Sequence, residues 1–103
     1  NTEYAYSVSM TVRGALLQLS DEGESYGYQL KQEFEERTGG IWPLNIGQVY
    51  STLDRLVRDG AATETGEGEA QQRRYRITDA GRRELAEWLL APAATALLRF
   101  PEQ

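Results

Sequence analysis

The chain has 103 residues and a net charge of −5 at pH 7, and it contains neither cysteine nor histidine. One domain of ordinary globular composition is expected at this length, and the missing residue types exclude disulfides, thiolate chemistry and the commonest general base and metal ligand. Its apolar runs are far shorter than the roughly 20 residues of a membrane span, and no signal peptide is visible. We therefore expect a cytoplasmic protein with no metal, cofactor or membrane partner.

Two helices are predicted in the first part of the chain. The first runs from about Val8 to Leu19, where apolar residues recur at helical spacing, and a polar loop follows it. The second is expected to start with Ser25 as its N-cap and to stop at the Thr-Gly-Gly sequence of residues 38–40. Pro43 then prevents helix in the apolar connection that comes next.

The third predicted helix, residues 45–59, has two distinct faces. Asn45 is placed to cap its N-terminus and Gly60 to end it. One face is an apolar stripe that consists of Ile46, Val49, Tyr50, Leu53, Leu56 and Val57. The other face is polar at its start and cationic at its end, and consists of Gln48, Ser51, Thr52, Arg55 and Arg58. Such a face suits the major groove of DNA, where amide and guanidinium groups bind base edges.

A β-hairpin and a last helix follow. Strands are predicted at residues 61–65 and 74–77, with a polar loop between them. Alternation along the second strand should send its two arginines to one face and Tyr75 and Ile77 to the other. Thr78 is the expected N-cap of the last helix.

The predicted fold class is mainly α with a small β-hairpin (α+β), in the order α-α-α-β-β-α. A helix followed by a basic hairpin is the outline of a winged helix-turn-helix, and we expect residues 1–90 to form this DNA-binding domain. Pro92 ends or kinks the last helix.

Several short motifs, in this order and at natural spacing, resemble the PadR family of bacterial transcriptional regulators. They are SYGYQL at 25–30, WPL at 42–44, GQVY at 47–50, LDRLVRDG at 53–60, RRYRITDAG at 73–81 and WL at 88–89. The resemblance covers roughly residues 8–90. It implies a repressor that dimerises through C-terminal helices, binds a palindromic operator and is often released by a small molecule. It also implies that residues 91–103 are the start of a C-terminal dimerisation and effector region, truncated at Gln103. Ser51 stands where the family commonly has proline.

The candidate DNA-binding residues lie on the second and third helices and in the hairpin: Ser25, Tyr26, Gln48, Tyr50, Ser51, Thr52, Arg55, Arg73 and Arg74. Each has a structural alternative. The polar helix face could be solvated only, and Tyr50 could pack in the core. Ser25 could serve only as a cap, Tyr26 could only pack, and the hairpin arginines could pair with Glu64, Glu67 or Glu69.

Trp42 and Trp88 are most simply core or interface residues. The alternative is a pocket for a flat aromatic effector at a helical dimer interface. Trp88 is the better candidate for that ligand or dimer site, because it lies where dimer helices would meet.

The net charge of −5 is the main argument against DNA binding, since nucleic-acid affinity is largely phosphate neutralisation. The charges are segregated, however. Residues 21–36 hold six acids and one lysine, whereas residues 73–83 hold five arginines and one aspartate. The main hypothesis is a homodimeric regulator of double-stranded DNA, and the alternative is a winged-helix protein-interaction module that does not bind DNA. An enzyme is not expected, because no catalytic constellation is present.

Overall fold

The computed structural model describes residues 2–40, 44–66 and 73–90, with side chains from residue 11 onward. Its elements are α1 (Thr2–Asp21), β1 (Ser25–Tyr26), α2 (Gly27–Arg37), α3 (Ile46–Arg58), β2 (Ala62–Thr65), β3 (Arg74–Ile77) and α4 (Asp79–Leu89). The predicted winged helix-turn-helix of mainly helical class is confirmed, with β1 as an additional strand. The segment with Trp42 and Pro43, the tip of the hairpin with Glu67 and Glu69, and residues 91–103 lie outside the described residues.

The first helix, α1, packs against α2, α3, α4 and β3. It begins at Thr2, well before the predicted start near Val8, because no helix-breaking residue precedes the point where the apolar pattern begins. Its buried face agrees with the predicted one and contributes Val12, Ala15, Leu16 and Leu19 to the core.

The start of α2 differs from the prediction. Ser25 is not the N-cap, because Ser25 and Tyr26 are extended and pair with β3, where Ser25 lies opposite Tyr75 and Tyr26 opposite Arg74. The helix begins at Gly27, and the side chain of Gln29 accepts a hydrogen bond of 2.9 Å from the backbone N–H of Tyr26. The start of the helix-turn-helix is therefore joined to the sheet.

The ends of α3 are those that the sequence predicts. Asn45 Oδ1 accepts hydrogen bonds from the backbone N–H groups of Gly47 at 2.8 Å and Gln48 at 3.4 Å. After the last turn, Gly60 has a φ of +79°, a left-handed conformation that favours glycine. The helix is held on the core by three fully buried side chains, Val49, Leu53 and Leu56.

The central strand of the three-stranded antiparallel sheet is β3, in the order β1-β3-β2. Tyr75 and Ile77 are buried and Arg74 and Arg76 are exposed, as the alternation predicts. Burial raises the pKa of Tyr75, so its phenol stays neutral beneath the sheet. The arginines of β3 are left on the outer surface of the hairpin formed by β2 and β3, which is the wing.

Thr78 connects the end of α3 with α4. Its hydroxyl accepts a hydrogen bond of 3.1 Å from the backbone N–H of Gly81, which confirms its role as the N-cap of α4, and donates one of 2.6 Å to the carbonyl of Gly60. A Cβ at Gly81 would collide with the carbonyl of Ala61. Glycine is therefore needed where α4 crosses the start of the wing.

Candidate nucleic-acid interface

The helix-turn-helix consists of α2 and α3, and contacts at both ends of α2 fix how α3 is presented. The ring of Tyr50 lies so close to Gly27 that a Cβ there would be 2.5 Å from it. Glu35 pairs with Lys31 at 3.0 Å and accepts a hydrogen bond of 3.3 Å from the backbone N–H of Leu44, just before α3. These two contacts lower the pKa of Glu35. Tyr50 is half-buried against the core, which agrees with its packing alternative.

The outer face of α3 carries exposed polar side chains. Gln48, Ser51 and Arg58 are exposed and Arg55 is half-buried, as the sequence predicts for this face. Asp54 is an exposed acid on the same side. An amide, a hydroxyl and two guanidinium groups therefore line one side of the helix, and each of them can donate hydrogen bonds to base edges or phosphates.

Two residues of α3 are placed wrongly by the sequence pattern. The pattern puts Thr52 on the outer face, but its side chain is only 5% exposed and its hydroxyl donates to the carbonyl of Gln48 at 2.8 Å. The pattern puts Ile46 in the buried stripe, but it is 37% exposed. The buried arc is centred on Val49 and Leu56. Thr52 can join it because its hydroxyl is bonded within the helix.

The exposed arginine of β3 nearest to α2 forms a pair with Tyr26. Arg74 Nη2 donates to the Tyr26 hydroxyl at 2.9 Å, and the guanidinium carbon lies 4.9 Å from the centre of the ring. Arg73 instead pairs with Glu64 at 2.9 Å, the alternative that its sequence position leaves open. Ser25, on β1, donates to a loop carbonyl at 3.4 Å rather than capping a helix.

The Tyr26–Arg74 pair is connected to α3 through the start of α2. Tyr26 directly precedes Gly27, and Gly27 contacts Tyr50 of α3. We call this set of exposed or half-buried side chains the α3–sheet surface, and it consists of Tyr26, Gln48, Ser51, Arg55, Arg58 and Arg74. It brings together six positions with hydrogen-bonding side chains, three of them arginines. Of the predicted site residues on α3, Thr52 is not part of it.

An open groove of about 670 Å³ lies between the starts of α2 and α3. It is lined by Tyr28, Lys31, Leu44, Asn45, Ile46 and Tyr50. The sequence prediction missed the exposure of Tyr28 and Ile46. Ile46 fits the apolar stripe, so only its place in the first helical turn distinguishes it from a core residue.

The indole of Trp88 packs within the subunit. It lies against Gly14 of α1, where a Cβ would collide with the ring, and it is half-buried against the core. This contact favours the packing interpretation of Trp88 over a ligand pocket.

Among the residues that the structure describes, no three acidic or other metal-ligating side chains converge on a common point. In the same part of the chain, no helix combines the length and hydropathy that a bilayer span requires.

Comparison with known proteins identifies a matching family and several similar proteins. Residues 16–87 match the model of the transcriptional regulator PadR-like family. The negative transcriptional regulator PadR of Bacillus subtilis (strain 168) is 34% identical over 79 residues, which cover 74% of this chain and 43% of that protein. The match therefore spans less than half the length of that relative.

Solved structures of Bacillus subtilis PadR have the same fold. The complex with operator DNA has a TM-score of 0.65 at 31% identity, and the match covers 88% of this chain and 50% of that one. The complex with p-coumaric acid has a TM-score of 0.66 at 28% identity, and the match covers 92% of this chain and 48% of that one.

Proposed function

The chain belongs to the PadR-like family of transcriptional regulators, and we propose on this premise that it is a sequence-specific DNA-binding repressor of the cytoplasm. The observation that carries the proposal is the α3–sheet surface, which combines exposed donors on α3 with the Tyr26–Arg74 pair. Bacillus subtilis PadR, which is similar in fold, has been crystallised with operator DNA. The matching family is one of regulators and not of enzymes.

In the proposed complex, α3 enters the major groove and reads bases. The amide of Gln48 can bind an adenine edge with two hydrogen bonds, and Arg55 can bind a guanine edge or a phosphate. Ser51 can donate to either kind of group. Thr52 has no part in this, because its side chain is buried.

The phosphate backbone is held by the wing and the start of α2. Arg74 is exposed and bonded to a neutral phenol, so its positive charge is available to a phosphate. The hydroxyls of Ser25, Tyr26 and Tyr50 are proposed to donate to phosphates nearby. Arg73 contributes less, because Glu64 already neutralises it.

The proposed assembly is a homodimer on a palindromic operator, whose half-sites would lie about one helical turn, roughly 34–36 Å, apart. A small aromatic effector would release the DNA by changing the distance between the two α3 helices. Bacillus subtilis PadR has been crystallised with p-coumaric acid, a small aromatic compound. The dimer contacts are proposed to involve residues 91–103 and the end of α4 near Trp88.

The competing function is a protein-interaction module that does not bind DNA, and the net charge of −5 favours it. A mobility assay of the full-length protein on its own upstream DNA, over a salt series, distinguishes the two. The proposal predicts specific retardation that weakens steeply with salt, because phosphate contacts release counterions. Failure to retard that DNA specifically at low salt would favour the interaction module.

Three variants show which surface is responsible. Arg74→Ala should weaken binding to all sequences, and Gln48→Ala should weaken discrimination between sequences. Arg83→Ala, a change of an exposed arginine on α4, is the control and should bind as the wild type does.

A further inference from the structure

Ile46, the first residue of α3, departs from the burial pattern of its helix. In the same apolar stripe, Val49, Leu53 and Leu56 are fully buried and Tyr50 and Val57 are half-buried, whereas Ile46 is 37% exposed. Tyr28 of α2 is 54% exposed and lines the same open groove as Ile46. An apolar patch therefore borders the first turn of α3 on the side of α2.

Local stability does not account for an isoleucine at this position. The first helical turn favours acidic or small polar side chains, which complement its free N–H groups and the helix dipole. A β-branched side chain is also a weaker helix former than most alternatives. The part of the Ile46 side chain that stays exposed contributes no hydrophobic stabilisation to this subunit. A contact with another molecule would account for the residue.

The position of Ile46 is that of a base-reading residue. In helix-turn-helix proteins, the N-terminal residues of the recognition helix contact base edges. A helix with its side chains is about 10–12 Å across and the major groove is about 12 Å wide, so both flanks of the first turn lie close to the walls of the groove. Gln48 is about 200° around the helix axis from Ile46. Gln48 therefore occupies one flank, and Ile46 occupies the flank next to Tyr28.

The chemistry of Ile46 determines which group it can recognise. Base edges in the major groove carry hydrogen-bond donors and acceptors, and the C5 methyl group of thymine is their apolar feature. On the basis of the proposed function, we infer that Ile46 is a specificity-determining residue that contacts a thymine methyl group in the operator. The side chains of Tyr28 and Tyr50 line the adjoining groove.

Deoxyuridine provides a direct test, because it lacks only the C5 methyl group of thymidine. An operator is first selected from a random DNA pool with the full-length protein, and each thymine is then replaced singly. Wild-type affinity should fall about fourfold at one position in each half-site, as expected for the loss of one buried methyl contact. Ile46→Ala should bind the two forms of DNA equally, and Ile46→Val should keep part of the difference.

Two results would overturn the inference while leaving the proposed function intact. One is wild-type protein that binds every deoxyuridine operator as tightly as the thymine operator. The other is Ile46→Ala that keeps the full sensitivity to the methyl group. Failure of the proposed function looks different, since no sequence would be enriched from the pool, and this overturns both. If Ile46→Ala does not fold, the wild type and Ile46→Val decide the question.

Discussion

Arginine side chains have different partners on the two sides of this molecule. On the side of α1 and α4, Arg13 lies 2.6 Å from Glu84 and 2.9 Å from Asp59. On the α3–sheet surface, Arg74 donates instead to the hydroxyl of Tyr26, and Glu24 acts on it only at longer range. Arg58, at the edge of that surface, lies 3.7 Å from Asp59. A carboxylate offsets the positive charge that a phosphate would meet, whereas a neutral phenol does not.

This difference explains how an acidic chain can present a cationic surface. Arg82 repeats the pattern of Arg13, with Asp21 and Asp79 each at 3.1 Å. These acids contribute to the net charge of −5 and lie outside the α3–sheet surface. The pair of Arg82 with Asp21 joins α4 to α1. Under the proposed function, the local charge rather than the sum decides affinity for phosphates.

The largest expected effect is that of Arg13→Ala. Its side chain is only 18% exposed and links α1 to the end of α3 and to α4. Removing it leaves Glu84 without this partner, while Asp59 keeps Arg58 at 3.7 Å. We expect a loss of about 2 kcal/mol in the free energy of unfolding. Urea denaturation measures this loss. DNA affinity of the folded protein should be unchanged.

The matched control for Arg13 is Arg82→Ala, whose side chain is 53% exposed. Its loss should stay below about 1 kcal/mol, because exposed ion pairs contribute little. Equal losses in the free energy of unfolding for the two variants would contradict the argument that the more buried ion pair contributes more to stability.

The second effect concerns DNA affinity. Arg74→Ala should weaken binding about tenfold and reduce the salt slope by about one phosphate contact. Arg73→Ala should have a smaller effect, since Glu64 pairs with Arg73 at 2.9 Å. Fluorescence anisotropy titrations at several salt concentrations measure both. If Arg73→Ala weakened binding more than Arg74→Ala, the side-chain partners in this structure would not predict which arginine contacts phosphate.

The third effect separates two neighbouring positions on α3. Thr52→Ala should lower the free energy of unfolding by about 1 kcal/mol, because it removes buried atoms and a hydrogen bond to Gln48. Ser51→Ala should leave stability unchanged, because Ser51 is exposed, and should alter DNA binding. Thermal melts and anisotropy titrations of both variants test this. If Ser51→Ala lowered stability and Thr52→Ala altered DNA binding, α3 would be rotated differently on the core.

The smallest effect is the acid dependence of an exposed pair. Arg37 lies 2.6 Å from Glu22, and this hydrogen bond lowers the pKa of Glu22. A glutamate whose pKa is lower in the folded state than in the unfolded state stabilises the fold when it is ionised, above about pH 4.3. This stabilisation is lost as the pH falls through the pKa of the folded state. Glu22→Gln should therefore lower stability near neutral pH, by less than about 1 kcal/mol.

Melting curves from neutral to acidic pH measure this contribution of Glu22. The difference between wild type and Glu22→Gln should disappear at low pH, and Glu36→Gln, a change on the exposed face of α2, is the control. A difference that persists unchanged in acid would exclude the ion pair as its cause.

Local signals in the sequence predict much of this fold. The cap residues Asn45 and Thr78 form the hydrogen bonds expected of them, and β3 alternates as predicted. Contacts between distant segments could not be predicted in this way. Ser25 resembles an N-cap, but it pairs instead with Tyr75, far along the chain.

The candidate site was predicted in outline and misplaced in detail. Periodicity gives the faces of α3, but the rotation of the helix on the core is set by packing against α1 and α2. That rotation buries Thr52 and exposes Ile46. The sequence also shows which residues are arginines without showing their partners. Only the fold distinguishes Arg73, paired with Glu64, from Arg74, paired with Tyr26.

The central claim is that the α3–sheet surface is the one that contacts DNA, and site-specific crosslinking tests it most directly. A photo-crosslinking amino acid is placed at the position of Ser51 on α3 or, as a control, at the position of Arg83 on α4; both side chains are exposed. The full-length protein is then irradiated with its upstream DNA. We predict a crosslink from position 51 and none from position 83. A crosslink from position 83 alone, or from neither position, would contradict the claim.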